Sequence, residues 1–198
     1  MIRAVLWDAD GVLQRTTAAW EERVGAVVGR DRLAALAGDL WSVSAQAMVG
    51  EVDFAAHIDL VLERQGLGDR REALLATWRA IEPVSDVHDV LARVRRSVPC
   101  YLASNQDSYR AQVMREHLRY ADLLDGLFFS CEIGAAKPDA DFFDAVVARL
   151  GLAAAEVLFI DDVAANVTAA RTAGLQAERW HHDLGVGDLE QLLAMHGL

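Results

Sequence analysis

The chain has 198 residues, of which 53% are hydrophobic, and its formal net charge at pH 7 is −11. This length and apolar content predict one folded domain, or one domain with a sizeable insert, and exclude a disordered chain. The negative charge argues against nucleic acid and anionic membranes as partners, because both favour basic surfaces.

The two cysteines, Cys100 and Cys131, lie far apart in the sequence. This spacing does not form a paired metal-ligand motif and favours free thiols in a reducing compartment. The first residues lack the pattern of a signal peptide, and no apolar run is long enough to span a membrane. We therefore expect a soluble cytoplasmic protein.

Five apolar stretches along the chain have the composition of buried strands. They lie at 4–7, 98–104, 126–130, 156–161 and 175–180. Helical patterns, in which apolar residues recur three and four apart, separate the last four of them. These patterns cover 108–124, 140–151 and 164–174. The alternation predicts right-handed crossovers and an α/β fold, with a Rossmann-like parallel sheet and helices on both faces.

Residues 15–85 interrupt this alternation. They contain helical stretches at 17–29, 53–66 and 71–82, and no convincing strand. We interpret them as a small α-helical insert after the first strand, which returns through Pro83 to a helix over 87–96. The predicted core then consists of residues 1–14 and 86–198. The tryptophans of the insert are expected to pack in its own core rather than to line a pocket.

Polar side chains follow four of the predicted strands, at the carboxyl ends where parallel sheets bind their ligands. They are Asp8 and Asp10 after the first strand, Ser104 and Asn105 after the second, Lys137 after the third, and Asp161 and Asp162 after the fourth. Each cluster alone is typical of turns and helix caps. Four clusters in this order on one sheet indicate a single site.

The paired carboxylates predict a metal. Asp8 and Asp10 can face the same site, because side chains two apart in extended backbone point the same way. Together with Asp161 or Asp162 they gather three or four carboxylates, which favours a hard divalent cation, and Mg²⁺ fits best. Asp161 and Asp162 are adjacent and would point in opposite directions, one toward the metal and the other toward a neighbour such as Lys137.

The same edge of the sheet is suited to a phosphoryl group. We expect Asn105 to begin a helix whose N-terminal N–H groups favour an anion. Ser104 adds a hydroxyl donor, and Lys137, the only lysine in the chain, adds a compact charge. One carboxylate could attack the phosphoryl group to give an aspartyl-phosphate, and the second could move the proton.

Four segments resemble the motifs of the haloacid dehalogenase-like hydrolase superfamily. They are DADGV at 8–12, YLASN at 101–105, AAKPDADFF at 135–143 and LFIDDVAANVTAARTAG at 158–174. The resemblance covers nearly the whole chain. The helical insert is similar to the small cap of the subfamily that contains phosphoglycolate-type phosphatases and the N-terminal phosphatase domain of soluble epoxide hydrolases.

The resemblance implies a role for each carboxylate. Asp8 would be the nucleophile and Asp10 the acid and base. Mg²⁺ would be bound by the Asp8 carboxylate, the Asp10 main-chain carbonyl and Asp162, with Asp161 in support. Gly11 would let the chain turn out of the strand toward the cap.

The resemblance also implies how substrate is held. Ser104 and Lys137 would bind the phosphate, Asn105 would help on the substrate side, and Asn166 would be a structural asparagine of the loop that carries the fourth motif. Gln14 and Arg15 depart from the Asp-Ser or Asn-Ser that many relatives carry after the first motif. Arg15 is interpreted either as a contact for a second anionic group or as an exposed structural residue.

The implied function is Mg²⁺-dependent hydrolysis of a small phosphorylated metabolite. Asp10 disfavours a haloacid dehalogenase, which lacks an acid at that position, and an insert without lysine disfavours a phosphonatase. A phosphomutase is the first alternative, followed by a dehalogenase or a non-catalytic phosphate-binding relative. The insert and the acid pair after the fourth strand disfavour a phospho-receiver domain. The adjacent His181 and His182 are interpreted as loop residues rather than metal ligands.

Overall fold

The computed structural model describes residues 1–16 and 19–198. Thr17 and Ala18, which begin the predicted helical stretch 17–29, lie outside the described residues. The remainder forms a parallel sheet with helices on both faces and a separate group of helices inserted after the first strand. The predicted α/β fold class is confirmed.

The strands form a central sheet and a separate pair of antiparallel strands. We call this pair the hairpin, although the whole helical insert connects its two strands. In chain order they are β1 Ala4–Trp7, β2 Gln14–Thr16, β3 Ile81–Pro83, β4 Cys100–Ser104, β5 Gly126–Phe129, β6 Val157–Asp161 and β7 Gln176–Arg179. The central sheet has the order β5-β4-β1-β6-β7, and all of its pairings are parallel. Because β1 lies between β4 and β6, the carboxyl ends of these three strands are neighbours.

The helices of the described ranges fall into two groups. Those of the insert are α1 Trp20–Val28, α2 Arg30–Trp41, α3 Ser44–Met48, α4 Phe54–Arg64 and α5 Arg71–Trp78. Those of the core are α6 Ser85–Val94, α7 Ser108–Glu116, α8 Tyr120–Leu123, α9 Ser130–Ile133, α10 Ala140–Leu150, α11 Ala164–Thr172 and α12 Val186–Met195. Among these described helices we find no segment with both the length and the apolar character of a membrane span.

The two faces of the sheet are covered by different helices, because successive side chains of a strand point to opposite faces. Val5 and Trp7 of β1 pack in one hydrophobic cluster with residues of α6 and α12. Leu6 lies between them in sequence and packs on the other face with residues of α10 and α11. Every residue of β1 is buried, as expected for a strand covered on both sides.

The insert has a hydrophobic core of its own, formed by α1, α2, α4 and α5. Trp20, Trp41 and Trp78 contact one another there, with ring centroids 5.3 to 6.3 Å apart. The expected core position is confirmed for Trp78, which is buried, whereas Trp41 remains 42% exposed.

The absence of strands predicted for residues 15–85 is wrong. β2 and β3 pair antiparallel, with Arg15 opposite Glu82, so the chain leaves the core and returns to it on adjacent strands. Three-residue strands contain too few alternations of apolar and polar residues to be recognised, and Pro83 at the end of β3 disguises that strand further.

The single helix predicted over 108–124 is also wrong, because α7 ends at Glu116 and α8 begins at Tyr120. Arg119 between them has φ +55°. A residue in this left-handed region cannot continue a right-handed helix. The apolar spacing continues through the break because both helices pack on the same hydrophobic cluster.

Candidate active site

The carboxyl ends of β4, β1 and β6 bring a buried ion cluster together. Asp8 follows β1, and its main-chain N–H donates to the Ile160 carbonyl of β6 at 2.9 Å. The Nζ of Lys137 donates to Asp8 Oδ1 at 2.8 Å, to Asp161 Oδ2 at 2.6 Å and to the Ala103 carbonyl at 2.8 Å. These bonds use all three N–H donors of the ammonium group.

Burial and charge act in opposite directions on this cluster. Burial, opposed by the Lys137 ammonium and reinforced by Asp161, raises the pKa of Asp8 to about 7. Burial also disfavours the charged form of Lys137, but the two carboxylates outweigh it and hold the pKa of Lys137 above its ordinary value. Lys137 is therefore charged at neutral pH and fixes the position of Asp8.

Asp8, Asp161 and Asp162 place carboxylate oxygens within 4.8 Å of one another. Burial, followed by the charge of Asp161, raises the pKa of Asp162. Three carboxylates beside one ammonium leave an excess of negative charge in a partly buried place. This donor set, made of hard oxygen ligands at the edge of the sheet, fits a divalent cation such as Mg²⁺.

The oxygens of Asp161 are already engaged by the protein. Asn166 Nδ2 donates to both of them, at 3.1 and 3.0 Å, and the Val163 N–H donates to Oδ1 at 2.7 Å. Asn166 was expected on the loop of the fourth motif, but it lies in the first turn of α11. From there it fixes Asp161, and with it the acceptor of Lys137.

Gly11 lets the backbone turn beside Asp162. Its φ is +79°, and a Cβ at this position would lie 2.7 Å from the Asp162 carboxylate and 3.1 Å from the His181 ring. Both the left-handed conformation and the close approach require glycine. The Gly11 carbonyl accepts from the His182 N–H at 2.9 Å, which ties this turn to the loop after β7.

The Asp10 carboxylate is held by three side chains rather than by the Lys137 cluster. Gln14 Nε2 and Arg110 Nη2 donate to Oδ1, at 3.0 and 2.6 Å, and Gln106 Nε2 donates to Oδ2 at 2.9 Å. Gln106 also donates to the Ser104 hydroxyl oxygen at 3.0 Å. Asp10 is thus positioned from the hairpin, from the loop after β4 and from α7.

Gln106 and Arg110 are not among the site residues predicted from the sequence. Asp107, the N-cap of α7, accepts from the Arg110 N–H at 2.9 Å and so places Arg110 in the first turn of that helix. The available signal was their position, because polar residues that open the helix after β4 must lie at the same edge of the sheet as Asp10. Gln14, which we noted only as a departure from the motif, is fully buried and accepts from the Tyr120 hydroxyl at 3.0 Å.

Asn105 does not begin a helix, contrary to expectation, since α7 starts at Ser108. Its amide instead brackets the backbone of Lys137: Oδ1 accepts from the Lys137 N–H at 2.8 Å and Nδ2 donates to the Lys137 carbonyl at 2.7 Å. The neighbouring Ser104 is buried at the end of β4. Asn105 therefore fixes the loop that delivers the lysine.

A cavity of about 490 Å³ opens beside Asp10 and Gly11. Its other lining residues are Arg15, Thr16, Arg110, His181, His182 and Asp183. Arg15 is paired with Glu82 across the hairpin at 3.3 Å. His181 and His182 stack, with ring centroids 4.3 Å apart, and both approach the Asp183 carboxylate. The cavity gives solvent access to one side of Asp10.

A family model described as haloacid dehalogenase-like hydrolase matches residues 2–174. Among curated proteins, the sesquiterpene phosphatase astK of Aspergillus oryzae is 35% identical over 107 residues, which are 52% of this chain and 55% of that protein. The chain thus spans about half the length of this curated relative.

Two solved structures resemble the whole fold. A predicted HAD-like family hydrolase from Porphyromonas gingivalis superposes with a TM-score of 0.81 at 21% identity, covering 98% of each chain. The HAD family enzyme bt-2542 from Bacteroides thetaiotaomicron, in complex with magnesium and inorganic phosphate, gives a TM-score of 0.78 at 22% identity, covering 90% of this chain and 94% of that one. At these identities the likeness establishes the fold.

Proposed function

The chain belongs to the haloacid dehalogenase-like hydrolase family, and we propose that it is a Mg²⁺-dependent phosphatase that hydrolyses a small phosphorylated metabolite through an aspartyl-phosphate on Asp8. The observation that carries this proposal is the buried bridge of Lys137 to both Asp8 and Asp161. It holds one carboxylate at the edge of the sheet, within reach of two others, and Asp10 lies two residues away with its own set of donors.

Asp8 is proposed as the nucleophile. Because Lys137 is bonded to Oδ1, we assign the attack to Oδ2. Oδ2 forms the bond to phosphorus as the bond to the leaving oxygen breaks, and the phosphoryl group is then carried on Asp8.

Asp10 is proposed as the acid and base. It gives a proton to the leaving oxygen in the first step. In the second step it takes a proton from the attacking water, whose oxygen bonds to phosphorus while the bond between phosphorus and Asp8 breaks. This returns Asp8 to its carboxylate form and Asp10 to its protonated form.

The proposed Mg²⁺ ligands are the Asp8 carboxylate, the Asp10 main-chain carbonyl and Asp162. Asp161 instead supports the site by binding Lys137. When bound, the metal neutralises charge on the phosphoryl oxygens. Asp162 is suited to this role because it is only partly buried and lies beside Asp8.

Ser104 and Asn105 are proposed on the phosphate side of the site. The Ser104 hydroxyl can still donate, because its oxygen is the acceptor in the hydrogen bond from Gln106. Lys137 has three acceptors, so a direct bond to phosphate requires it to release one of them. We propose that its main effect on the phosphoryl group is exerted through Asp8.

A small phosphorylated substrate is supported by the similar proteins, of which one is named as a sesquiterpene phosphatase and another was solved with magnesium and inorganic phosphate. A cytoplasmic location is proposed on the two cysteines, which are both free thiols. Burial raises the pKa of Cys100 and of Cys131 to about 11, so both thiols stay protonated and poorly reactive.

Hydrolysis of p-nitrophenyl phosphate with and without Mg²⁺ tests the proposal, with Asp8→Asn as the blank. We expect Mg²⁺-dependent release of phosphate that the variant lacks. Rapid quenching followed by borohydride reduction should convert a trapped aspartyl-phosphate at position 8 to homoserine, which a peptide mass measurement detects.

Three outcomes would contradict the proposal. The first is Mg²⁺-dependent turnover that Asp8→Asn retains, and the second is turnover without any trapped adduct on Asp8. The third is the return of the phosphoryl group to the organic product, which indicates the phosphomutase alternative.

A further inference from the structure

The donors around Asp10 are distributed unequally between its two oxygens. Among the described residues, Oδ1 receives two donors, from Gln14 at 3.0 Å and Arg110 at 2.6 Å, whereas Oδ2 receives one, from Gln106 at 2.9 Å. Each carboxylate oxygen has two lone-pair sites. Oδ1 is therefore filled, and Oδ2 keeps one site.

We propose that Arg110 is a positioning residue that, with Gln14, fills Oδ1 of Asp10 and thereby assigns the transferred proton to Oδ2. This inference rests on the proposed function, since it concerns the atom through which Asp10 acts as acid and base. The proton that reaches the leaving oxygen departs from Oδ2, and the proton taken from water arrives there. Arg110 and Gln14 remain bonded to Oδ1 throughout.

Arg110, which donates to Asp10, is less exposed to solvent than Asp10 itself. The Arg110 side chain is 18% exposed, whereas that of Asp10 is 44% exposed and lines the cavity. The backbone of Arg110 is fixed in the first turn of α7, where its main-chain N–H donates to the Asp107 carboxylate. A mostly buried guanidinium that donates to a more exposed carboxylate fixes the rotation of that carboxylate.

Gln14 supports the same atom from the hairpin. Its Oε1 accepts from the Tyr120 hydroxyl, so its Nε2 is the end that faces Asp10. Gln14 and Tyr120 are both buried. Burial, reinforced by the charge of Asp10, raises the pKa of Tyr120, which keeps its hydroxyl a donor at neutral pH. Two elements distant in sequence thus converge on Oδ1.

A leaving-group series distinguishes this role from simple structural support. General acid catalysis matters most when the leaving oxygen is a poor leaving group, so we compare p-nitrophenyl phosphate with p-methoxyphenyl phosphate, which are similar in size. In Arg110→Gln, we expect kcat/KM for the p-methoxy ester to fall about 10- to 100-fold further than kcat/KM for the p-nitro ester. Both are measured at saturating Mg²⁺.

Arg115→Gln is the matched control, because Arg115 lies on the same helix and pairs with Glu132 away from Asp10. It should show the wild-type ratio of the two esters. Arg110→Lys keeps the charge but lacks the planar fork, so it should recover the ratio only in part. If Arg110→Gln does not fold, Gln14→Met removes the other donor to Oδ1 and should give a selective loss in the same direction.

The inference is overturned if a folded Arg110→Gln or Gln14→Met variant lowers kcat/KM for both esters by the same factor. That result would mean a structural role alone. Failure of the proposed function would look different, because the wild-type enzyme would then hydrolyse neither ester in the presence of Mg²⁺.

Discussion

Lys137 is the residue on which the buried cluster depends. An ammonium carries three donors around one atom, and three acceptors surround Nζ in this structure. The centroid of the Phe159 ring lies 5.0 Å from Nζ. A guanidinium spreads its donors over a planar fork and does not match this arrangement. This explains why the only lysine of the chain stands at position 137.

Replacing Lys137 should therefore be costly. Lys137→Met leaves Asp8 and Asp161 buried beside each other without a cation, which we expect to lower the free energy of unfolding by about 3–5 kcal/mol. Lys137→Arg should recover only part of this loss. Urea unfolding followed by circular dichroism measures both.

The control for Lys137 is Arg93→Met. Arg93 pairs with Glu190 at the surface, where both side chains are about half exposed, and the change should cost no more than about 1 kcal/mol. Equal losses of unfolding free energy in Lys137→Met and Arg93→Met would show that the buried bridge contributes no more to stability than a surface ion pair.

His88 is a half-buried titratable residue that lies outside the Lys137 cluster. Its Nε2 lies 2.9 Å from the Leu13 carbonyl, and its ring contacts Tyr120 edge-on at 5.8 Å. Burial, partly offset by the bond to Leu13, lowers the pKa of His88 below its ordinary value. The folded state therefore favours the neutral form of the His88 imidazole.

This pKa shift gives a pH dependence with a definite sign. The unfolded chain binds a proton at His88 more readily than the folded chain, so stability from this group is present above its unfolded pKa and is lost as pH falls. We expect the unfolding free energy of the wild type to decrease more between pH 7.5 and 5.5 than that of His88→Gln. Parallel curves for the two proteins would contradict this assignment.

At the scale of elements, the insert contacts the core at a second place besides the hairpin. Gly50 follows α3 and has φ +77°, and a Cβ there would overlap the carbonyl oxygen of Cys131 in α9. The backbone of the insert therefore lies directly against a core helix. This contact depends on glycine at one position.

Gly50→Ala should loosen that contact. The overlap with backbone forces the insert away from α9, and overpacking of this kind costs about 1–3 kcal/mol. Hydrogen exchange of α3 and α9 should accelerate while exchange of β1 and β6 stays unchanged. Gly66→Ala is the matched control, since Gly66 has φ +65° in the same insert and no atom within 4 Å of the added Cβ. A similar effect in both variants would trace the loss to backbone strain alone.

Elements in which apolar residues recur regularly over many positions were predictable from the sequence. Short or interrupted elements were not. The helix predicted over 140–151 is observed as α10, Ala140–Leu150, because eleven residues of apolar spacing specify a helix. β2 and β3 escaped prediction because their pairing joins residues far apart in sequence, such as Arg15 and Glu82. The break at Arg119 escaped because its cause is a backbone conformation rather than a periodicity.

At the scale of the whole molecule, the net charge of −11 opposes the approach of an anionic substrate. The cluster of Asp8, Asp161 and Asp162 concentrates negative charge at the very place where the phosphoryl group is proposed to react. A bound divalent cation removes this conflict, and it should also stabilise the folded chain, because the unfolded chain does not assemble the ligands.

Mg²⁺ should therefore raise the melting temperature. At a concentration 100 times the dissociation constant, linkage gives about 2.7 kcal/mol, or a shift of about 5–10 °C for a chain of this size. Asp162→Asn should abolish the shift measured by calorimetry. Asp183→Asn, which changes an exposed acid across the cavity beside His181 and His182, should retain it; loss of the shift there instead would place the cation at the histidines.

The sequence by itself determined the parallel sheet, the position of the insert and the edge at which the polar clusters meet. These follow from local apolar periodicity and from the order of strands and helices, which the chain carries within short segments. The tertiary structure alone decided what each polar group contacts. Asp10 is 100 residues from Arg110, and Gln14 is 106 residues from Tyr120. Hydrogen bonds between such distant side chains depend on the packing of several elements at once, and no short stretch of sequence encodes them.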